Sequence, residues 1–414
     1  MLEIHRATLG NGLRVVVHPD RNTAMVALDI LYNAGARDES PSRTGMAHLF
    51  EHLMFGGSAN VPDFDSAVEH AGGVNNAWTS NDFTNFYTIV PAVNVETAFW
   101  VESDRMLAPI LTGRVLEVQK DVVVEEFKQT CLNAPYGDLM HHLRGLAYTV
   151  HPYRYPTLGL TPDHVASVTD SDVTSFFESH YSPDNAVLAV SGNITPDRAF
   201  DLAQRYFGDI PRCRIAPRLY SQEPPVTEAR RKVVSGAVPH TKIVMAFPMA
   251  AHGAPGYIEA DVITDILANG QASRLVRDVV MAGDVISAAD ASIIGSDEPG
   301  LLLVSANLRD NNADAIERAE LLIWDQIDRL VSDKASVSEL KRCTARFASL
   351  NAFGQMSYVA CAEEIAQAEM QGADINARVD NYRSVTPEQI RDCAAEILRR
   401  DRCSTLIYTP SGDE

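Results

Sequence analysis

Hydrophobic and polar positions change period several times along the first half of the chain. Leu13–His18 and Met25–Tyr32 read as strands. A helical spacing follows from Gly45 to about Phe55, and another from Asp63 to Ala71. Gly72-Gly73 closes the second, where a residue free to take positive φ ends a helix. Asn75–Ser80 and Thr84–Val90 predict two more strands, and helices are expected over Val95–Leu107, Gly113–Leu132 and Gly137–Tyr148. A helix near Asp170–Ser179, a strand near Ala186–Val190 and a helix near Pro196–Phe207 complete this half.

A proline-bearing stretch without periodicity, Pro211–Val226, interrupts the pattern. The same order then returns. Strands near Lys232–Ser235 and Lys242–Phe247 precede a helix over Gly256–Leu267. Strands near Val285–Ile293 and Gly300–Leu308 follow, then long helices to about Leu398 and a last strand at Cys403–Tyr408. A chain of 414 residues exceeds what one hydrophobic core usually organises. The expectation is therefore an α+β protein made of two homologous domains, residues 1–212 and 227–414, joined by a linker at 213–226. Each would hold an antiparallel-rich mixed sheet packed with helices, and the shared element order suggests duplication.

Charge narrows the range of partners. The chain carries 35 Lys and Arg against 55 Asp and Glu, a formal charge of −20, which argues against nucleic acid or an anionic membrane as a partner. No apolar run reaches the roughly 18 residues of a spanning helix, and the first residues lack the layout of a secretory signal, so a cytoplasmic location is expected. Cys131, Cys213, Cys343, Cys361, Cys393 and Cys403 are scattered without a C-x-x-C pair, which fits neither a disulfide framework nor a thiolate zinc site. A metal, if bound, must be held by histidine and carboxylate.

Such donors occur at His48-Leu49-Phe50-Glu51-His52. Residues four apart share a helix face, so His48 and His52 can offer two imidazole nitrogens to one ion. This H-x-x-E-H order inverts the H-E-x-x-H zinc helix and is itself a zinc-protease signature. Glu51, on the flank of the same face, can act as general base rather than ligand. Catalytic zinc needs a third protein ligand and an open position. The acidic helical run Gln119–Phe127 offers Glu125 or Glu126, between which spacing does not choose. The flanking Leu49, Leu53 and Met54 suggest a buried surround, where a His-Glu-His cluster without metal would carry a heavy desolvation cost.

The segment Gly45–Gly57 resembles the metal helix of the pitrilysin-type inverted-zinc peptidases, particularly the short-chain branch that includes mitochondrial processing peptidase and bacterial relatives. Gly72-Gly73-Val74-Asn75-Asn76-Ala77-Trp78-Thr79 resembles that family's G-G-x-x-N-A-x-T strand, and the acidic helix resembles its E-x-x-x-x-x-x-E pattern. The resemblance implies Zn²⁺ bound by His48, His52 and Glu126, with Glu51 as base. It also implies a peptide substrate laid along Asn76 and Ala77, and a substrate contact at Arg277 in the motif Gly270–Arg277. Two positions depart from the pattern. Gln119 stands where a second glutamate is usual, so it can hydrogen-bond near the site without charge. Asp284 stands where relatives carry a tyrosine. Ile258–Val262, the second half's counterpart of the metal helix, has no histidine. The implied function is a zinc endopeptidase that hydrolyses unfolded peptides or flexible segments inside a closed chamber, as a homodimer or with a related subunit. The alternative is a catalytically silent scaffold or interaction subunit of the same fold.

Overall fold

A computed structural model of the chain describes residues 1–411 except Arg214, Ala216 and Leu219; these three positions of the expected linker 213–226 lie outside the described residues. Eleven strands form two sheets among the described residues. The first contains β1 (His5–Thr8), β2 (Arg14–Pro19), β3 (Met25–Tyr32), β4 (Val74–Thr79), β5 (Thr84–Pro91) and β6 (Ala186–Gly192), in the order β1-β2-β6-β3-β5-β4. The second contains β7 (Arg230–Gly236), β8 (Lys242–Pro248), β9 (Ile286–Ile294), β10 (Leu301–Leu308) and β11 (Ser404–Pro410), in the order β7-β11-β8-β10-β9.

Without β1, the two sheets have one topology. Each has a single parallel pair, β2 with β6 and β7 with β11, and antiparallel pairing elsewhere. The helix after the second strand of each set opens on a left-handed glycine, Gly45 at φ 89° and Gly256 at φ 92°. Both observations fit the duplicated α+β unit read from element order. β1 escaped that reading because four residues with half-exposed alternation carry little periodic signal.

The chain divides into two compact units, and neither is continuous in sequence. One comprises Met1–Lys128, Tyr155–Tyr220 and Asn351–Asn376; the other comprises Gln129–Arg154, Ser221–Leu350 and Ala377–Glu414. Contiguous halves of 1–212 and 227–414 would not contain this exchange. Its cause is visible in the strands. β3 is buried along nearly its whole length, with Val26, Leu28, Ile30 and Tyr32 in one core and Ala27 and Leu31 in another. A sheet buried on both faces needs a second layer of helix. The helix Tyr358–Gln371 from late in the chain supplies it, packing Cys361, Ala362, Ile365 and Ala366 against Val16, Ala27, Val187 and Ala189. Polar contacts reinforce the docking: Trp78 Nε1 donates to Glu363 at 2.9 Å and Arg14 donates to the Glu369 carbonyl at 3.0 Å. In the other unit the helix Leu139–Ala147, from early in the chain, sets Leu139, Leu143 and Ala147 against Val244, Ala246, Leu303 and Leu406.

Four helices frame the first unit's site: α1 (Met46–Leu53), α2 (Phe64–His70), α3 (Val95–Leu107) and α4 (Arg114–Phe127). The helix expected as one run to Leu132 ends its α-geometry at Phe127 and continues as a π-turn over Lys128–Leu132. No helix among the described residues is long and apolar enough to cross a membrane.

Candidate metal centre and edge-strand site

Helix α1 is amphipathic in the sense that matters for the site. Met46, Ala47, Leu49, Phe50 and Leu53 are buried, and Phe50 stacks on Tyr181 with ring centroids 4.5 Å apart. This fixes the rotation of the helix and leaves His48, Glu51 and His52 half-buried on its other face. Anchorage at its N-terminus comes from outside the helix. Gly45, the N-cap, has no side chain to offer, and Glu39 replaces it: the two carboxylate oxygens accept from Gly45 N and Ala47 N, both at 2.8 Å. Burial pushes the Glu39 carboxyl well above its ordinary range, against those backbone hydrogen bonds. Gly45 is required twice over: it is left-handed, and a Cβ there would meet the Leu158 carbonyl oxygen at 2.9 Å.

Helix α4 brings the third donor. Glu126 Oε2 lies 3.3 Å from His52 Nε2, and its Oε1 lies 3.8 Å from His48 Nε2. Ligand atoms of His48, His52 and Glu126 all fall within 4.8 Å of one another, the one such cluster of three among the described residues. Glu125, the alternative acid, sits about 100° further round the helix. It accepts instead from Lys128 Nζ at 2.6 Å, on the exposed side.

The donor set fits zinc. Tetrahedral bonds of about 2.0–2.2 Å place neighbouring ligand atoms about 3.3–3.6 Å apart, close to the two separations found. Burial, partly opposed by Glu126, lowers the His48 pKa to about 4, so the ring is neutral and its lone pair is available. The hydrogen bond with His52 holds the Glu126 carboxyl below its usual range, which keeps it ionised. His48 Nδ1 is buried without a hydrogen-bond partner. The ring therefore has nothing fixing its proton from behind, and Nε2 is the nitrogen that faces the cluster.

Glu51 stands beside these donors without belonging to them. Its Oε2 accepts from Thr79 Oγ1 at 2.6 Å, and burial raises its pKa above the ordinary value despite that bond. Thr79 ends β4, whose outer edge has no strand neighbour among the described residues. Asn76 and Ala77 lie on this edge strand, with Asn76 Oδ1 accepting from Ala77 N at 2.9 Å. A cavity of about 430 Å³ joins Glu51 and His52 to Phe55, Asp65, Asn75, Asn76 and Gln119. Gln119 is thus at the site, seven residues before Glu126 on the same helix face.

Arg277 belongs to the other unit and is not among the residues gathered here. Its guanidinium is exposed and forked onto Asp278, at 2.5 and 2.7 Å. Asp284 pairs with Arg318 at 3.1 Å, both exposed. The structural residue of that motif is Arg274, buried against Glu339 at 2.9 and 3.2 Å and the Lys334 carbonyl at 3.0 Å. Glu39, Thr79 and Asp65 had drawn no assignment from sequence. Thr79 alone left a trace, as the last position of the strand motif.

Two family models match the chain. One, described as insulinase (peptidase family M16), covers residues 14–159, and the other, described as peptidase M16 inactive domain, covers residues 167–347. The chain belongs to the M16 peptidase family. It is 27% identical over 341 residues to a Helicobacter pylori protein named zinc protease PqqE, covering 81% of this chain and 77% of that one. It is 27% identical to the beta subunit of mitochondrial-processing peptidase of Saccharomyces cerevisiae, covering 63% of this chain and 57% of that one. The crystal structure of a protease from Helicobacter pylori has the same fold at a TM-score of 0.92, with 24% identity over 99% of this chain and all of that one. An M16 inactive-domain protein from Pseudomonas fluorescens has it at 0.88, with 16% identity over 100% of this chain and 99% of that one. M16 membership gives the chain a peptidase-type fold and lineage, and the donor cluster and its anchor Glu39 both lie within the matched region 14–159.

Two outcomes follow from the anchoring contacts. Glu39→Ala leaves two helix N–H groups buried without partners and should destabilise the first unit by about 2–4 kcal/mol, read by urea denaturation. The Glu339 carboxyl is held near 2 rather than 4.5; burial raises it, and the hydrogen bonds from Arg274 and Ser336 more than offset that. A depressed carboxyl contributes stability above its unfolded pKa and loses it as pH falls toward the folded one. The stability gap between the natural chain and Arg274→Met should therefore shrink as pH drops from 4.5 to about 2, measured by denaturation midpoints at each pH.

Proposed function

We propose that the chain is a zinc-dependent endopeptidase acting on unfolded peptides or flexible segments. The observation that carries this reading is the convergence of His48, His52 and Glu126 beside a second acid, Glu51, that the cluster does not use. Bound zinc would supply positive charge to polarise a peptide carbonyl and to make water more acidic. The chain's own residues do the rest. Glu51 takes the proton of the attacking water and passes it to the leaving amine. Thr79 holds one Glu51 oxygen, leaving the other to face the reaction, and the raised proton affinity of Glu51 suits a group that must accept a proton and give it up again.

The free edge of β4 supports an extended substrate. A peptide added there would make main-chain hydrogen bonds along Asn76 and Ala77, next to Glu51. Most strands of a folded protein are already paired within its own sheets, which is why unfolded or flexible segments are the proposed class. Enclosure of the substrate in a chamber, and pairing as a homodimer or with a related subunit, belong to the same proposal; one relative's description as a subunit supports the pairing. Gln119 keeps its wall of the cavity neutral, and Arg277 would have to exchange Asp278 for a substrate group in order to take part.

The test is hydrolysis of an unstructured quenched-fluorescence peptide. Zinc-loaded protein should cleave it, lose the activity to a chelator and regain it with zinc. Glu51→Gln should hold zinc yet turn over about 10²–10⁴-fold more slowly. A zinc-loaded chain that cleaves no unfolded peptide would instead be the silent scaffold.

A further inference from the structure

The face of the first sheet that lies under the helix Tyr358–Gln371 holds an acid for which the zinc chemistry has no use. Along β3 the residues of that face are Ala27, Asp29 and Leu31, and the first and last belong to the apolar core beneath the helix. Asp29, between them, is fully buried, and so is Asn85 on the neighbouring β5. Asn85 Nδ2 donates to Asp29 Oδ1 at 2.7 Å. The other oxygen of each residue, Asp29 Oδ2 and Asn85 Oδ1, is buried with no hydrogen-bond partner among the described residues. Two acceptors left over in one pair call for one proton. A carboxylic acid and a carboxamide each offer one donor and one acceptor, so an acid O–H on Asp29 can bond Asn85 Oδ1 while the amide N–H bonds Asp29 Oδ1. We propose that Asp29 is an un-ionised acid paired with Asn85, and that its proton latches the helix Tyr358–Gln371 onto the sheet, so that the helix is released when the proton is lost.

The surroundings favour the proton. The charges that reach Asp29 are both negative, Glu363 on the covering helix and Glu102 on α3 from the other face of the sheet. Each has partners of its own: Trp78 donates to Glu363, and Arg105 and Thr88 donate to Glu102. Tyr87 stands opposite Asp29 on β5 and Ala189 opposite it on β6, while the helix adds Cys361 and Glu364; none of these is a cation. Burial pushes the Asp29 carboxyl well above its ordinary range, the Asn85 hydrogen bond works against this, and Glu363 and Glu102 reinforce it. Once ionised, Asp29 is a buried charge without a counter-ion, which is costly. Lifting the helix brings it to water at the expense of the side-chain contacts of Cys361, Ala362, Ile365 and Ala366, whereas opening the sheet would break strand ladders. The direction with pH follows. The closed form keeps a proton that an exposed aspartate gives up, so closure weakens as pH rises above the ordinary aspartate range, and stops weakening once the raised value is passed. One proton changes the closing constant about tenfold per pH unit.

Two measurements on the full-length chain test this, and neither depends on peptidase activity. The first is amide hydrogen exchange between about pH 5 and 8, comparing the natural chain with Asp29→Asn, which puts an uncharged amide in the place of the acid. Taking the ratio of the two at each pH cancels the pH dependence of exchange itself. Over Tyr358–Gln371 the opening constant of the natural chain should rise relative to Asp29→Asn by about tenfold per pH unit. Over the helix Ala313–Asp333, in the other unit, the ratio should stay constant. The second reads the proton directly, by nuclear magnetic resonance of the chain labelled at aspartate Cγ. One carboxyl resonance should keep its un-ionised position at about pH 7, and it should be absent from Asp29→Asn. If that variant does not fold, Asn85→Ala identifies the same resonance by displacing it. An Asp29 carboxyl that titrates in the ordinary range would overturn the proposal. So would an exchange ratio over Tyr358–Gln371 that is constant with pH, even with Asp29 un-ionised, because the proton would then hold nothing in place.

Discussion

Three donor atoms from two helices must meet within a few ångströms, and the packing of α1 against α4 decides whether they do. Glu126 lies more than seventy residues from His52 in sequence, so no local preference joins them. What joins them is that one face of α1 is fully committed to the core through Leu49, Phe50 and Leu53. α4 is likewise held by Leu116, Val123 and Phe127. With both rotations fixed, the opposite face of α1 and one edge of α4 have to confront each other. The imidazoles and the carboxylate are then a consequence of where the apolar residues are.

The same logic extends to the ends of the elements. A short helix that opens on glycine has four N–H groups and no cap of its own. Glu39 accepts from the N–H groups of Gly45 and Ala47 at its start, and Gly45 lets the Leu158–Gly159 loop approach to a distance a side chain would forbid. β4 ends at Thr79, whose hydroxyl sets the orientation of Glu51. The sheet behind it is covered by helices on both faces, one of them contributed by the far end of the chain. A site built on a helix and an edge strand is thus backed by rigid layers, while the strand's outer edge stays available for another chain.

Much of this was readable from the residues. The pair His48 and His52 declares itself through a spacing of four in a helix, and Leu49, Leu53 and Met54 are as buried as their neighbours suggested. Val95–Leu107 and Pro196–Phe207 are helices with the expected ends. Spacing could not separate Glu125 from Glu126, because adjacent acids on one helix differ only in direction, and direction is set by the partner helix. Glu39 was silent because a cap contributed from six residues upstream matches no local capping pattern. The exchange of helices between units was also silent. Periodicity reports that a helix has an apolar face but not which sheet that face will cover.

The proposed chemistry depends on one divalent ion being held by two imidazoles and a carboxylate. X-ray absorption at the zinc edge of the purified chain tests this most directly. The predicted result is one zinc per chain in a nitrogen and oxygen shell with the scattering of two histidine rings, and a lost or weakened site in Glu126→Ala. A chain that binds no zinc, or one whose zinc has sulfur neighbours from its six cysteines, would contradict it.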